Sequence, residues 1–339
     1  MLEKPALPDE EILTCLWEKY AIAAVQVEFL PLGADQRSAV YRIVAGNGTI
    51  YFLKLRRGEY DEMLVVLPKL LGEQGVQQVI APLTTSGGQL QTTLGSFRVI
   101  LYPFVAGQDG YEVKLSDGQW REFGATLKGI HTAKLPDDIR RRIGREYYSS
   151  QWRDAVKGYV AQATGEPFSE PIAAKLADFL ANKRDEVLYL VGRAEELGRI
   201  FQNRSPEFVL CHADIHAGNI LIGDDGSLHI VDWDEAILAP KERDLMSIGG
   251  ALMGGWYSPQ QEEAMFYPAY GQLEIDPFGL AYYRYERIIA DIAVISEQIF
   301  TAVGSIEDRE LDFGYLTSNF MPGHTIEMAY RADPARSNR

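Results

Sequence analysis

The chain has 339 residues, 46% hydrophobic and 24% charged, enough for two lobes with their own cores in an ordinary globular protein. Its 48 acidic residues outnumber 33 basic ones for a net charge of −15, which argues against nucleic acid as a partner and is compatible with a cationic small molecule. Cys15 and Cys211 make no disulfide framework, and no Cys or His grouping indicates zinc. The first residues lack a basic segment leading into an apolar core, and no apolar run is long enough to span a bilayer, so the expected location is the cytoplasm, without membrane contact.

Asp9 to Tyr20 has helical spacing, with Ile12, Leu13, Leu16, Trp17 and Tyr20 on one side. Three strands are expected next, Val25–Leu30, Ala39–Val44 and Ile50–Leu55, the last two joined by the turn Gly46-Asn47-Gly48. Between the first and second lies P-L-G-A-D-Q-R-S-A-V, with Gly33. A short glycine turn of this kind can fold backbone N–H groups over phosphates. It lacks the repeated glycines of G-x-G-x-x-G, and an ordinary hairpin loop reads equally well.

Lys54 lies on the third strand in Y-F-L-K-L, and a lysine among apolar neighbours needs an anionic partner. The following helix, expected over Tyr60–Leu71, offers Glu59, Asp61 and Glu62 at its start. Glu62 is assigned as the partner; Asp61 competes for that role or caps the helix. Two more strands, Val79–Leu83 and Phe97–Phe104, are expected around Ser86-Gly87-Gly88. The second ends in L-Y-P-F-V-A-G, where Pro103 breaks the ladder and Gly107 loosens the chain, as suits a connector between lobes. The main chain at Tyr102 and Phe104 is a candidate to meet a nucleotide base.

From Ser116 the pattern is helical. Ser116-Asp117 can cap a helix to about Ala133 with Trp120, Phe123, Leu127 and Ile130 as its buried stripe. Further helices are expected around Gln151–Gln162, Glu170–Ala181 and Lys183–Gln202, as a helical insertion over about 136–205 without a catalytic grouping.

Val209 to Asp234 then reads as strand, polar loop, strand, turn and strand. The loop carries His212, Asp214 and Asn219, and the last strand delivers Asp232. A carboxylate that orients a hydroxyl, beside an amide and a second carboxylate able to hold a hard cation such as Mg²⁺, suits phosphoryl transfer from a nucleotide. The spacing H-x-D-x-x-x-x-N, with Asn five positions after Asp, is that of the kinase catalytic loop. His212 reads as structural, and His216 and His229 as ordinary hydrogen-bonded histidines. Asp234 and Glu235 follow the metal candidate directly, Glu242–Leu252 is expected to be helical with Arg243 and Asp244 able to brace the loop, and Ala281–Phe300 is a long helix carrying Glu286, Arg287 and Asp291. Arg287 and Asp291 stand i,i+4 and either pair with each other or face a substrate. Asp234, Glu235, Glu286 and Asp291 are the candidate acidic wall for a cationic substrate, against the alternative that they pair with neighbouring arginines.

The stretches C-H-A-D-I-H-A-G-N-I-L-I-G, V-D-W-D-E-A-I-L-A-P-K-E-R-D-L, Y-R-Y-E-R-I-I-A-D-I-A-V and L-G-A-D-Q resemble the aminoglycoside phosphotransferases of the choline-kinase-like family, in particular their spectinomycin-specific branch. The resemblance implies a two-lobed α+β protein-kinase-like fold, with an N-terminal antiparallel-sheet lobe over 1–104 that binds the nucleotide and a larger, mainly helical catalytic lobe over 105–339. It implies transfer of the ATP γ-phosphate, with Mg²⁺, to a hydroxyl of an aminocyclitol. It makes Asp214 catalytic, Asn219 and Asp232 metal ligands, and Lys54 with Glu62 the holders of the nucleotide phosphates. Similar loops occur in choline, homoserine and fructosamine kinases, and a kinase fold kept only for binding is the alternative of another class. Possession of Lys54, Asp214, Asn219 and Asp232 together argues against that alternative.

Overall fold

The computed structural model describes residues 4–31, 37–58, 61–165, 167–271 and 274–336. They divide into two compact units, one made of Met1–Leu115, Ala133–Ile143 and Gly218–Glu235, the other of Ser116–Thr132, Gly144–Ala217 and Ala236–Arg339.

The first unit is organised by a five-stranded antiparallel sheet in the order Ala24–Leu30, Ser38–Ala45, Ile50–Arg56, Phe97–Pro103, Thr92–Leu94. Strand alternation sends Tyr41, Ile43, Leu53, Leu55, Val99 and Leu101 to one face. Against it lies the helix Asp9–Tyr20 through Ile12, Cys15, Leu16 and Tyr20. Each such side chain fully buried stabilises by about 1.5–3 kcal/mol. Leu53 and Leu55 are wholly buried, so Lys54 between them, and Arg56 two residues on, point to the opposite face. Lys54 is opposite Val40 on one neighbouring strand and Ile100 on the other.

Two expected elements differ here. Residues 79–83 are not a strand: Val79 makes a single parallel bridge to Ile230, and Leu83 N–H donates to Leu101 O at 2.7 Å. Pro82 removes a ladder donor from that run. The neighbour of Phe97–Pro103 at the sheet edge is instead Thr92–Leu94, turned at Gly95 with φ +57°. The helix expected from Tyr60 is Met63–Glu73, because the Asp61 carboxylate accepts Met63 N–H at 2.9 Å and caps it.

Gly107 does not loosen the chain. It starts a strand, Gly107–Asp109, paired with Leu221–Gly223, and a Cβ there would fall 2.1 Å from Ile222 O, so only glycine lets the strands close. With Ile220–Gly223 and Leu228–Ile230 this makes a three-stranded sheet in the first unit.

The second unit is helical around Pro277–Phe300, 24 residues long, which packs on Gln151–Ala163, Arg184–Arg204 and Thr325–Ala332. Its core includes Val156, Leu176, Leu197, Phe201, Ile288 and Ile292. The helix Asp117–His131 begins with Ser116 and Gln119 capping each other's backbone. It lies so close to Pro259–Tyr270 that a Cβ on Gly124 would meet Phe266 O at 2.4 Å. Strands Val209–Cys211 and Ile237–Ala239 pair antiparallel. The helix expected over Glu242–Leu252 stops at Leu245; the chain beyond takes left-handed turns at Gly249 and Ala251, φ +65° and +62°. Among the described residues no helix is long and apolar enough to cross a membrane.

Candidate active site

In the first unit the site begins at the open end of a hairpin. Ile220 pairs with Ile230, and Val231 N–H donates to Asn219 O at 3.0 Å, which sets Asn219 directly across from the residue preceding Asp232. Asp232 has φ +62°, a left-handed conformation that aspartate adopts more readily than most residues and that turns the chain out of the ladder. Trp233 anchors the far side, its indole N–H donating to Ile230 O at 3.2 Å. The Asn219 side chain is buried and the Asp232 carboxylate half exposed. An amide and a carboxylate so placed are a hard-oxygen donor pair. That set fits Mg²⁺, which keeps waters and borrows phosphate oxygens instead of demanding a full protein cage.

The same hairpin end meets the sheet. Lys54 Nζ lies 3.5 Å from Asp232 Oδ1 and 3.1 Å from Asp234 Oδ2, and Arg56 Nη1 closes on Asp234 Oδ2 as well. The anionic partner required for Lys54 is therefore not Glu62. The Glu62 carboxylate is on the surface, bonded to Arg142 Nη2 at 2.7 Å. Helix capping by Asp61 starts the helix after Glu62 and leaves that side chain outside. Asp234, expected to face a substrate, is instead the partner of two cations of this unit. Glu235 is exposed. Tyr102 and Phe104 lie half-buried where the sheet ends, Tyr102 beside Phe52 and Phe104 beneath the Arg42 guanidinium. Gly33 lies outside the described residues.

In the second unit the loop bearing Asp214 is fixed from below. Asp244, wholly buried, accepts His212 N–H at 2.9 Å and Ala213 N–H at 2.7 Å, and its Oδ2 lies 3.0 Å from His131 Nε2. Burial opposes the Asp244 charge, but His131 and these donors hold its carboxyl below the usual range. Asp244 thus braces the loop as expected from sequence. Ala213 has φ +69°, a strained conformation those two hydrogen bonds enforce. Further along, Ser247 Oγ donates to Ile215 O at 2.5 Å, and Ala217 N–H to Leu252 O at 2.9 Å. His212 is wholly buried and its Nδ1 accepts Asp214 N–H at 3.3 Å, the structural part expected for it.

Asp214 itself meets Arg287, whose Nη1 donates to Oδ1 at 2.6 Å, and His216, whose Nε2 lies 3.5 Å from Oδ2. Burial would raise the Asp214 pKa, but His216 and Arg287 outweigh it and hold the group well below the ordinary carboxylate range. Arg287 Nε donates in turn to Asp291 Oδ1 at 3.1 Å. Asp291 is thus committed to Arg287. Glu286 faces away into the core, paired with Arg153, and burial pushes its carboxyl up to about 7. Neither it nor Asp291 is an open wall for a substrate: Glu286 directly precedes Arg287 on the helix, successive residues point about 100° apart, and the apolar core claims the Glu286 side.

Arg56 and His131 were not singled out from sequence. Arg56 was legible, since a residue two positions after Lys54 on a strand shares its face. His131 ends an apolar helical stripe, and nothing local shows that it reaches Asp244.

A model of the phosphotransferase enzyme family matches residues 28–285. The structure of the spectinomycin phosphotransferase APH(9)-Ia with ADP and spectinomycin is 33% identical, covers 97% of this chain and 99% of its own, and superposes with a TM-score of 0.89. Protein StrN of Streptomyces griseus is 27% identical over 234 residues, 64% of this chain and 67% of that protein. The amicoumacin kinase hAmiN, at 15% identity, 97% and 96% coverage and a TM-score of 0.60, shares the fold alone. The fold is the two-lobed α+β kinase-like fold, and the chain belongs to the phosphotransferase enzyme family as an ATP-dependent phosphotransferase with an alcohol group as acceptor.

Proposed function

We propose that the chain transfers the γ-phosphate of ATP to a hydroxyl of an aminocyclitol antibiotic, with spectinomycin the leading acceptor and resistance the consequence. The observation that carries the acceptor is the 33% identity, over 97% of the chain, to an enzyme whose structure holds ADP and spectinomycin. In this reading residues 1–104 are the nucleotide lobe and 105–339 the catalytic and substrate lobe, and the protein works in the cytoplasm.

Asp214 receives the hydrogen bond of the acceptor hydroxyl, aims its oxygen at the γ-phosphorus and takes its proton as the new ester bond forms and the bond to the β-phosphate oxygen breaks. Asn219 and Asp232 would hold Mg²⁺, which when bound would neutralise charge on the phosphate oxygens. Lys54, steadied by Asp232 and Asp234, meets the nucleotide phosphates. Of the four acids first considered for a cationic acceptor, Glu235 alone is exposed and without a partner role already described.

The test is nucleotide turnover across spectinomycin, aminoglycosides, choline and homoserine, with Asp214→Asn as the blank. Turnover with spectinomycin well above the other acceptors supports the reading. Preference for choline or homoserine overturns the acceptor while leaving the reaction class intact.

A further inference from the structure

Arg287 is the residue whose position the family reaction leaves unexplained. It sits on Pro277–Phe300, one turn before Asp291, and the two form the i,i+4 pair that the sequence allowed. The structure adds a third member. Its guanidinium divides its donors: Nε goes to Asp291 Oδ1 at 3.1 Å and Nη1 to Asp214 Oδ1 at 2.6 Å. Such a planar fork holds two carboxylates in fixed directions, which a lysine ammonium does not do. The Arg287 and Asp291 side chains are about four-fifths and nine-tenths buried, so little solvent screens either contact.

We propose that Arg287, anchored by Asp291, is a positioning residue for phosphoryl transfer: it fixes the carboxylate of Asp214 in one orientation and keeps it ionised to meet the acceptor hydroxyl. The proposal rests on the reading of Asp214 given above. Asp291 is needed because burial disfavours the Arg287 charge, and the carboxylates of Asp291 and Asp214 together more than restore it. The groups facing Asp214 are His216 on its own loop, Arg287 and Asp291 on the long helix, and Tyr315 on the helix Ile306–Ser318. Of these, Arg287 is the one held as a permanent cation. Without it, Asp214 keeps its burial and the repulsion of Asp291, both of which favour the protonated form, and His216 alone opposes them.

Arg287→Gln and Asp291→Asn test this, beside Asp214→Asn, with the acceptor of the panel above that the parent turns over fastest. In Arg287→Gln, kcat is expected to fall about 10- to 100-fold, the range for a misaligned reacting group. KM for ATP stays at the parent value. The acid limb of the pH–rate profile moves to higher pH, which a merely structural residue would not cause. Asp291→Asn, which keeps the guanidinium but loses its anchor, lowers kcat by less and, by removing the repulsion of a neighbouring carboxylate, moves the acid limb to lower pH; it carries the test if circular dichroism shows Arg287→Gln unfolded. A carboxyl carbon-13 NMR titration, with the Asp214 signal identified by its loss in Asp214→Asn, reads the rise in Arg287→Gln and the fall in Asp291→Asn without any acceptor. Parental kcat, pH profile and titration in both variants, while Asp214→Asn is inactive, overturns the role of Arg287 alone. Full turnover by Asp214→Asn overturns the reading of Asp214 and this proposal with it.

Discussion

Asp234 Oδ2 lies 3.1 Å from Lys54 Nζ, although 180 positions separate the two residues in the chain. The turn that brings them together is Asp232, whose left-handed backbone redirects the hairpin end toward the polar face of the sheet. Asp234 therefore serves the cations Lys54 and Arg56, the part first given to Glu62.

This moves the expected effect of neutralising Asp234 from the acceptor to the nucleotide. Asp234→Asn should raise KM for ATP about tenfold, the worth of one hydrogen bond to a charged group at about 1.5–3 kcal/mol after partial solvent screening. KM for the acceptor should not change. Steady-state kinetics with each substrate varied in turn checks it, and a change confined to the acceptor would return Asp234 to a substrate role.

Asp244 is expected to be the costliest single carboxylate to lose. Asp244→Ala removes the acceptor of His212 N–H and Ala213 N–H and the partner of His131, all in the interior. Breaking a buried charged network of this kind costs about 3–5 kcal/mol. Urea unfolding should show that loss, with kcat reduced in the protein that remains folded. A midpoint within experimental error of the parent would mean that the brace contributes nothing.

Glu262 predicts a pH dependence of stability. Burial pushes its carboxyl up to about 7, against the opposing pull of Gly249 N–H and Arg284. Between the ordinary carboxylate range and about pH 7 the folded chain therefore binds the proton that the unfolded chain has released. Stability is greatest on the acid side of that window and declines as pH rises through it, with a slope from this group of at most about 1.4 kcal/mol per pH unit. Glu262→Gln, which keeps an acceptor for Gly249 N–H, should flatten the decline. Urea midpoints measured from pH 5 to 8 decide this, and equal slopes in parent and variant would refute it.

The elements legible in the sequence were those with strong local signals. Asp9–Tyr20 is a helix at the expected bounds, Ser116 caps as read, and the strands flanking Lys54 fall within a residue or two of expectation. The run 79–83 has strand composition but carries Pro82, and the helix after Lys241 ends early, with four glycines, at 249, 250, 254 and 255, in the stretch that follows. At the site, the H-x-D-x-x-x-x-N loop was visible because its geometry depends on spacing. Which acid meets which cation was not visible. Lys54 had Glu59, Asp61 and Glu62 as candidate partners in the sequence, and only the hairpin register and the turn at Asp232 bring it to Asp232 and Asp234 instead. Arg287 likewise had Asp291 one turn away, while its second partner, Asp214, is 73 positions distant.

The measurement closest to the central claim pairs two readouts on Asp214→Asn: turnover of ATP with the preferred acceptor, and nucleotide affinity by calorimetry on the same preparation. Asp214 is predicted to act on the acceptor hydroxyl and not on the nucleotide. Turnover should therefore fall about 10²- to 10⁴-fold while the Kd for ATP with Mg²⁺ stays at the parent value. Parental turnover in Asp214→Asn would contradict the account.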